Sequence, residues 1–425
     1  MHRRVLIRGA WASGLSALAG CSSLTSRPSG RAHVLVVGGG YGGATAARYL
    51  RLFSDRTIDV TMVEPERRFV SCPVSNLVIG GQRGMADLTS PYTGLADRHG
   101  VRIVHDLVLR IDPRKKTATL AGGAVIGYDK LVLSPGVDMM WDETPGLRQA
   151  HDAGLVLHAW KAGPETLALR RQLEAMPDGG TFVITVPEAP YRCPPGPYER
   201  ACVVAAYFRK AKPRSKVLIL DANPDVTSKA ALFKAAWKEL HAGMIEYRPQ
   251  HKVTGVDAKT RTVSLEVQED VRADVLNVLP VMRAGALAVR TGLANANGRW
   301  CQVDFLNFAS TLDADIHVIG DSIQIAQGMP KSGHMANAQA KVAAAAIVAE
   351  LSGLGVNPQP MLSNVCLSFV DDTQAIHVAS VHEYRADQRS FVPVPGSGGV
   401  SAARSVLEGH HADAWARNIR ADMLG

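Results

Sequence analysis

His33-Val34-Leu35-Val36-Val37 is an apolar run, and Gly38-Gly39-Gly40-Tyr41-Gly42-Gly43 follows it without a spacer. The run reads as a buried strand, and residues 44–53 read as a helix by their apolar pattern. Gly38, Gly40 and Gly43 fit G-x-G-x-x-G. The first makes the turn, the second admits a pyrophosphate, and the third lets helix and strand pack closely. Tyr41 and Gly42 lie in the same loop and are binding candidates with them. A second strand-like run, 58–63, ends at Glu64, which comes 21 residues after Gly43. That spacing suits an acid that holds a ribose hydroxyl. Strand, glycines, helix, strand and acid in this order predict a dinucleotide-binding α/β unit. The alternative is a glycine-rich turn in an α/β unit that binds nothing.

A distant element bears on which dinucleotide it is. Asp315-Ile316-His317-Val318-Ile319-Gly320-Asp321 is an apolar strand ending in Gly-Asp. Two-domain, disulfide-reductase-like flavoproteins carry such a strand late in the chain, and its Asp binds the FAD ribityl chain. The sequence resembles them, which implies FAD and makes Asp321 a cofactor residue rather than a simple strand-end turn. Met329-Pro330-Lys331-Ser332-Gly333-His334 then opens a long Ala-rich helix over 335–351. Its amino terminus is expected to face the flavin pyrimidine, where negative charge develops on reduction. Lys331, in that lead-in, is a further cofactor candidate. Residues 128–136 resemble the strand and turn by which the chain leaves an FAD domain.

The expected class is therefore α/β, with two Rossmann-like domains of the disulfide-reductase-like flavoprotein type and a carboxy-terminal α+β interface domain. The FAD domain is discontinuous, 31–149 and 280–349. A second Rossmann-like domain occupies 150–279, and 350–425 forms the carboxy-terminal domain.

The second domain lacks what a nucleotide needs. Its first strand, Thr181 to Val186, is followed by five prolines between positions 187 and 197 and no glycine motif. Prolines remove the backbone N–H groups that a phosphate would use. The next strand, 216–221, still ends in an acid, Asp221. NAD(P)H is therefore not expected as the electron donor. The loop carries Cys193 instead, within Tyr191-Arg192-Cys193-Pro194-Pro195-Gly196-Pro197, and a helix is predicted over 201–210.

The amino terminus reads as an export signal. His2-Arg3-Arg4-Val5-Leu6-Ile7-Arg8 gives a twin-arginine region ahead of a short small-and-apolar stretch. Leu18-Ala19-Gly20-Cys21 resembles a lipobox, which would make Cys21 a lipid-anchored amino terminus; plain cleavage near Gly20 is the other reading. Residues 1–21 are then signal, 22–30 a polar linker, and the expected location is the periplasm. The net charge is +8, of which three charges lie in the signal. The remaining mild excess has no basic run with interleaved aromatics, so nucleic acid is not an expected partner. Five cysteines follow the signal: Cys72, Cys193, Cys202, Cys301 and Cys366. An odd number in an oxidising compartment leaves at least one thiol free or bonded to something else. No metal-binding set is expected.

From residue 31 to 425 the chain resembles the flavoprotein subunit of flavocytochrome c sulfide dehydrogenase. The most specific pieces are Ser71-Cys72-Pro73-Val74-Ser75-Asn76 with Ile79-Gly80-Gly81, Arg192-Cys193-Pro194-Pro195-Gly196-Pro197-Tyr198-Glu199, Pro330-Lys331-Ser332, and the tail from Trp415 to Gly425. Sulfide:quinone oxidoreductases are more distant relatives on the same plan. The resemblance implies that Cys72 attaches FAD covalently, and that Cys193 and Cys366 form a redox-active disulfide beside the flavin. They are 173 residues apart, so their proximity is not visible in the sequence. Glu199 matches a family glutamate near that disulfide, where a buried carboxylate moves protons; a helix amino-terminal acid favoured by the dipole is the plain alternative. Cys202 reads as helix core, and Trp415 lies on an amphipathic terminal helix.

The activity implied is oxidation of sulfide to zero-valent sulfur or polysulfide, with electrons passing through FAD to a c-type cytochrome. The chain contains no C-x-x-C-H, so haem would sit on a partner subunit. Two other readings stand beside it: a sulfide:quinone oxidoreductase, and a non-enzymatic sulfur-carrier or assembly protein on the same fold.

Overall fold

The structure, a computed structural model, describes residues 30–425. The twin-arginine stretch, Cys21 and the linker up to residue 29 lie outside the described residues. The first sheet has six strands in the order Ala309–Ser310, Asp313–Val318, Lys130–Leu133, His33–Val37, Asp59–Val63, Arg102–Val104. His33–Val37 is buried along its whole length and pairs in parallel with a neighbour on each side. A strand covered on both faces must be apolar throughout, which is why it reads as an unbroken run. Asp313–Val318 joins this sheet in parallel beside Lys130–Leu133. The late strand thus completes a layer begun by the early ones, and it delivers Asp321 to the same edge as the glycine loop.

Helix Tyr41–Phe53 packs against helix Gly333–Leu351. Both begin earlier than their apolar pattern indicates: Tyr41, Gly42 and Gly43 open the first and Gly333 and His334 the second, in a turn where backbone N–H groups have no intrahelical partner. Gly43 permits the close packing: a Cβ there would stand 1.8 Å from the Gly38 carbonyl oxygen.

The second sheet is all parallel, in the order Ile245–Arg248, Lys216–Asp221, Thr181–Val186, Val275–Val278. Strands 181–186 and 216–221 have the expected bounds. The following helix spans Gly196–Ala211 rather than 201–210. Proline is compatible with a first helical turn, since its fixed φ suits the helix and its missing N–H costs nothing there.

The carboxy-terminal unit is antiparallel. Met361–Phe369 pairs with Ala375–Arg385, which also pairs with Ser390–Pro393 and Gly399–Val400. Helix Val406–Leu424 then returns to the first domain. Arg48 donates to the carbonyls of Ala421 and Asp422, both at 2.6 Å. The Asp422 carboxylate accepts from Tyr49 at 2.6 Å and from Asn337 at 2.8 Å, and it pairs with Lys341 at 2.9 Å. Among the described residues no helix is long and apolar enough to cross a membrane.

Candidate active site

The glycine loop forms a cradle. The Gly39 N–H donates to Glu64 Oε2 at 2.7 Å, while Glu64 Oε1 accepts from the Glu66 N–H at 2.9 Å. Glu64 is thereby aimed at the loop, and its oxygens keep lone pairs for a ribose. A Cβ placed on Gly40 would meet nothing within 4 Å, so the backbone at the amino terminus of helix Tyr41–Phe53 faces open space. A helix amino terminus with free N–H groups suits a pyrophosphate. The Tyr41 hydroxyl and the Ser71 hydroxyl lie 2.7 Å apart, which joins the loop to the segment carrying Cys72.

Asp321 follows the late strand, and its Oδ1 is buried without a hydrogen-bond partner among the described residues. Burial pushes this carboxyl above its usual range, against the opposing charges of Arg192 and Lys331. An orphaned buried acceptor at this edge fits a ribityl hydroxyl, and with the open glycine cradle the residues fit FAD. Lys331 is buried. Its Nζ donates to the carbonyls of Asp321 at 2.8 Å and Ile323 at 2.6 Å, and it lies 3.6 Å from the Trp300 ring centroid. Burial lowers its ammonium to about 7.

Both Cys193 and Cys366 are half-buried free thiols, and the segments that carry them are both bonded to residues 331–332. The Cys193 N–H donates to the Lys331 carbonyl at 2.9 Å. The Cys193 sulfur also packs beside Trp160: a Cβ on Gly196 would meet Trp160 Cη2 at 2.6 Å and Cys193 Sγ at 2.9 Å, so only glycine fits there. Cys366 lies on strand Met361–Phe369. Its Sγ accepts from Asn364 Nδ2 at 3.5 Å, and Asn364 Oδ1 accepts from the Ser332 hydroxyl at 2.7 Å. Burial pushes the Cys193 thiol well above its ordinary range. The Cys366 and Glu199 charges add to this, and Arg192 and Lys229 oppose it.

Glu199 is buried in the first turn of helix Gly196–Ala211. Its carboxylate accepts from Asn76 Nδ2 at 2.8 Å and from the Phe369 N–H at 2.8 Å, which ties the Cys193 helix to the Cys366 strand. Burial raises its pKa, opposed by those two bonds and by Lys229 and Arg200. Arg200 is buried and clamps four acceptors: Asn76 Oδ1 at 2.9 Å, His158 O at 2.7 Å, Asn277 Oδ1 at 2.8 Å and Ala159 O at 2.7 Å. Lys229 donates to the Cys366 carbonyl at 2.9 Å and to Ser368 Oγ at 2.8 Å. Asn76, Arg200 and Lys229 were invisible as site residues in the sequence. Asn76 ends the Cys72 segment and Arg200 follows Glu199, but Lys229 lies in no motif.

Cys72 is half-buried, and its sulfur accepts from the Ala162 N–H at 3.4 Å. Cys202 is buried in its helix and accepts from Trp237 Nε1 at 3.3 Å. Trp415 packs against His334, with ring centroids 5.9 Å apart. In the second sheet, the Asp221 carboxylate accepts from Tyr198, Tyr247 and Asn223, at 2.6, 3.1 and 2.8 Å from their side chains. The strand-end acid is thus committed to its own domain.

One group of candidate metal ligands lies close together, His151, His158 and Glu165. The Trp160 N–H donates to His158 Nδ1 at 2.9 Å, which leaves the ring proton on Nε2, 3.3 Å from Glu165 Oε2. An Nε2 that carries the proton has no lone pair for a metal, so the cluster is a carboxylate bridged to histidine.

Comparison with known proteins agrees with this geometry. Residues 166–280 match the model "sulfide dehydrogenase (flavocytochrome c) flavoprotein chain, central", residues 358–424 match "flavocytochrome c sulphide dehydrogenase, flavin-binding", and residues 32–169 match "pyridine nucleotide-disulphide oxidoreductase". The sulfide dehydrogenase (flavocytochrome c) flavoprotein chain of Chlorobaculum thiosulfatiphilum is 57% identical over 49 residues, which is 12% of this chain and 100% of that sequence. The mitochondrial sulfide:quinone oxidoreductase of Dictyostelium discoideum is 23% identical over 335 residues, 76% of this chain and 72% of that one. The X-ray structure of the sulfide:quinone oxidoreductase from Aquifex aeolicus superposes with a TM-score of 0.76 at 19% identity, covering 92% of each chain. Two models specific to the sulfide dehydrogenase flavoprotein match the middle and the end of the chain, and with the sulfide:quinone oxidoreductase matches they mark it as a flavoprotein of the flavocytochrome c sulfide dehydrogenase/sulfide:quinone oxidoreductase-like type.

Proposed function

We propose that the chain oxidises sulfide at the Cys193–Cys366 pair and passes the electrons to a c-type cytochrome subunit, in the periplasm. The observation that carries this reading is that Cys193 and the Cys366 strand are both fastened to the lead-in of helix Gly333–Leu351, where Lys331 also bonds the Asp321 carbonyl, while Glu199 joins the Cys193 helix to the Cys366 strand. HS⁻ attacks one sulfur of the disulfide form. The S–S bond breaks, a persulfide forms on the attacked sulfur, and the other sulfur leaves as thiolate. A second HS⁻ takes the outer sulfur away as HSS⁻ and returns a thiol. Thiol and thiolate close the disulfide again, giving up one proton and two electrons. Glu199, a buried carboxylate on the Cys193 helix that accepts from the Phe369 N–H of the Cys366 strand, takes that proton. The glycine cradle, Glu64 and Asp321 would hold FAD and Cys72 would link it; when bound, the flavin would supply the acceptor for the electron pair on its way to the haem partner.

The test is anaerobic sulfide-dependent reduction of cytochrome c by the purified protein with its partner. Cys193→Ser is expected to bring the rate to that of the protein-free control. An unchanged rate in that variant overturns the reading. Reduction of a soluble quinone without cytochrome would assign the protein to the quinone-reducing branch.

A further inference from the structure

We propose that Lys229 is the positioning residue whose charge holds the anionic sulfur at the Cys193–Cys366 pair. The inference rests on that pair being the redox couple. Each HS⁻ that reacts brings one negative charge into a half-buried site, and an uncompensated buried charge is costly. Lys229 Nζ reaches the site directly, bonding the carbonyl of Cys366 and the hydroxyl of Ser368.

Three features of Lys229 are unfavourable in isolation. Its side chain is buried. Its φ is +58°, a left-handed conformation that is unfavourable for a non-glycine residue. It precedes helix Ala230–Leu240 as the N-cap without any side-chain capping bond, so a cation stands at the positive end of the helix dipole. Nothing in the helix it caps asks for a lysine. Strain and a buried charge retained together point to a function at that position. The groups whose charge acts on Lys229 are the two sulfurs, Glu199 and Glu408. Glu199 is engaged by Asn76 and Phe369, and Glu408 by His377 and Ser401. Of these the Cys366 sulfur acts most strongly, and it belongs to the residue whose carbonyl Lys229 already bonds.

The test measures iodoacetamide alkylation of the reduced pair against pH, read by peptide mass spectrometry. Lys229→Gln keeps donors for the Cys366 carbonyl and Ser368 while removing the charge. It is expected to move the profile alkaline by about one unit, a roughly tenfold slower reaction at neutral pH. Lys229→Arg is expected to stay within about threefold of the unsubstituted protein. Lys229→Met serves as the uncharged variant if the glutamine form does not fold. A folded uncharged variant with an unshifted profile overturns the proposal. The unsubstituted protein carries its own check: its profile should depart from a one-proton curve near pH 8, where burial has placed the Lys229 ammonium. A one-proton curve overturns the proposal whether or not any variant folds. Because the assay contains neither sulfide nor cytochrome, it stands or fails apart from the sulfide reading.

Discussion

Cys193 and Cys366 are fastened to consecutive residues. The Cys193 N–H donates to the Lys331 carbonyl at 2.9 Å, and the adjacent Ser332 hydroxyl donates at 2.7 Å to Asn364, which in turn donates to the Cys366 sulfur. One sulfur comes from the second parallel domain and the other from the antiparallel carboxy-terminal sheet. Both are anchored to the lead-in of a helix belonging to the first domain. The proposed sulfide site is therefore a three-way junction, and displacement of any of the three elements separates the sulfurs.

Cys72 is expected to hold the flavin covalently. Denaturation followed by intact-mass measurement should leave flavin on the peptide that contains Cys72. Cys72→Ser should release all of it while still binding flavin when folded. Free flavin from the denatured unsubstituted protein would remove the covalent link.

Asp321→Ala, made together with Cys72→Ser, should weaken FAD binding about 10- to 100-fold, the effect of losing one buried hydrogen bond to a hydroxyl. The flavin-free double variant should be no less stable than Cys72→Ser alone, because the lost Oδ1 has no protein partner. Equilibrium dialysis with FAD and urea unfolding measure the two outcomes.

Lys331→Met should change how stability varies with pH. Burial lowers the folded-state pKa of Lys331 to about 7, from about 10.4 in an unfolded chain. Folding then favours the neutral amine. The stabilisation from Lys331 is present above its unfolded pKa and is lost as pH falls to about 7. The urea midpoint of the unsubstituted protein, relative to Lys331→Met, should rise between pH 7 and 10 by the equivalent of about 2–4 kcal/mol. A constant difference across that range would show that the ammonium is not desolvated.

Arg200→Met should destabilise the protein by about 3–5 kcal/mol, the cost of breaking a buried charged network from one side. It leaves the carbonyls of His158 and Ala159 and the oxygens of Asn76 and Asn277 short of a donor. Asn277 Nδ2 still donates to His158 O at 2.9 Å, so that carbonyl keeps one partner. Denaturant unfolding gives the magnitude, and a loss under 1 kcal/mol would mean that water replaces the guanidinium.

The cofactor cradle was legible because its parts are local. Gly38, Gly40, Gly43 and Glu64 lie within one strand–helix–strand unit, and their spacing alone places them. Asp321 was legible because a strand ending in Gly-Asp has a recognisable form. The helix starts at Gly196, five residues before its apolar pattern begins, because Pro195 caps it and Pro197 sits in its first turn. Proline at a helix start was the signal available. Lys229 carried no such signal, because it stands in a turn with no motif and reaches the Cys366 strand only through the fold.

The sequence by itself determined the α/β class, the glycine cradle with its acid, and a loop of prolines where a second nucleotide would need backbone N–H groups. These follow from dihedral limits and hydrogen-bond donors that each short segment carries wherever it lies. Only the tertiary structure decided the surroundings of the two sulfurs: Glu199 bonded to Phe369 of the Cys366 strand, Lys229 on the Cys366 carbonyl, and Asn76 bonded to both Glu199 and Arg200. Those surroundings set charge and proton affinity through burial, and burial arises when segments far apart in the chain exclude water from one another.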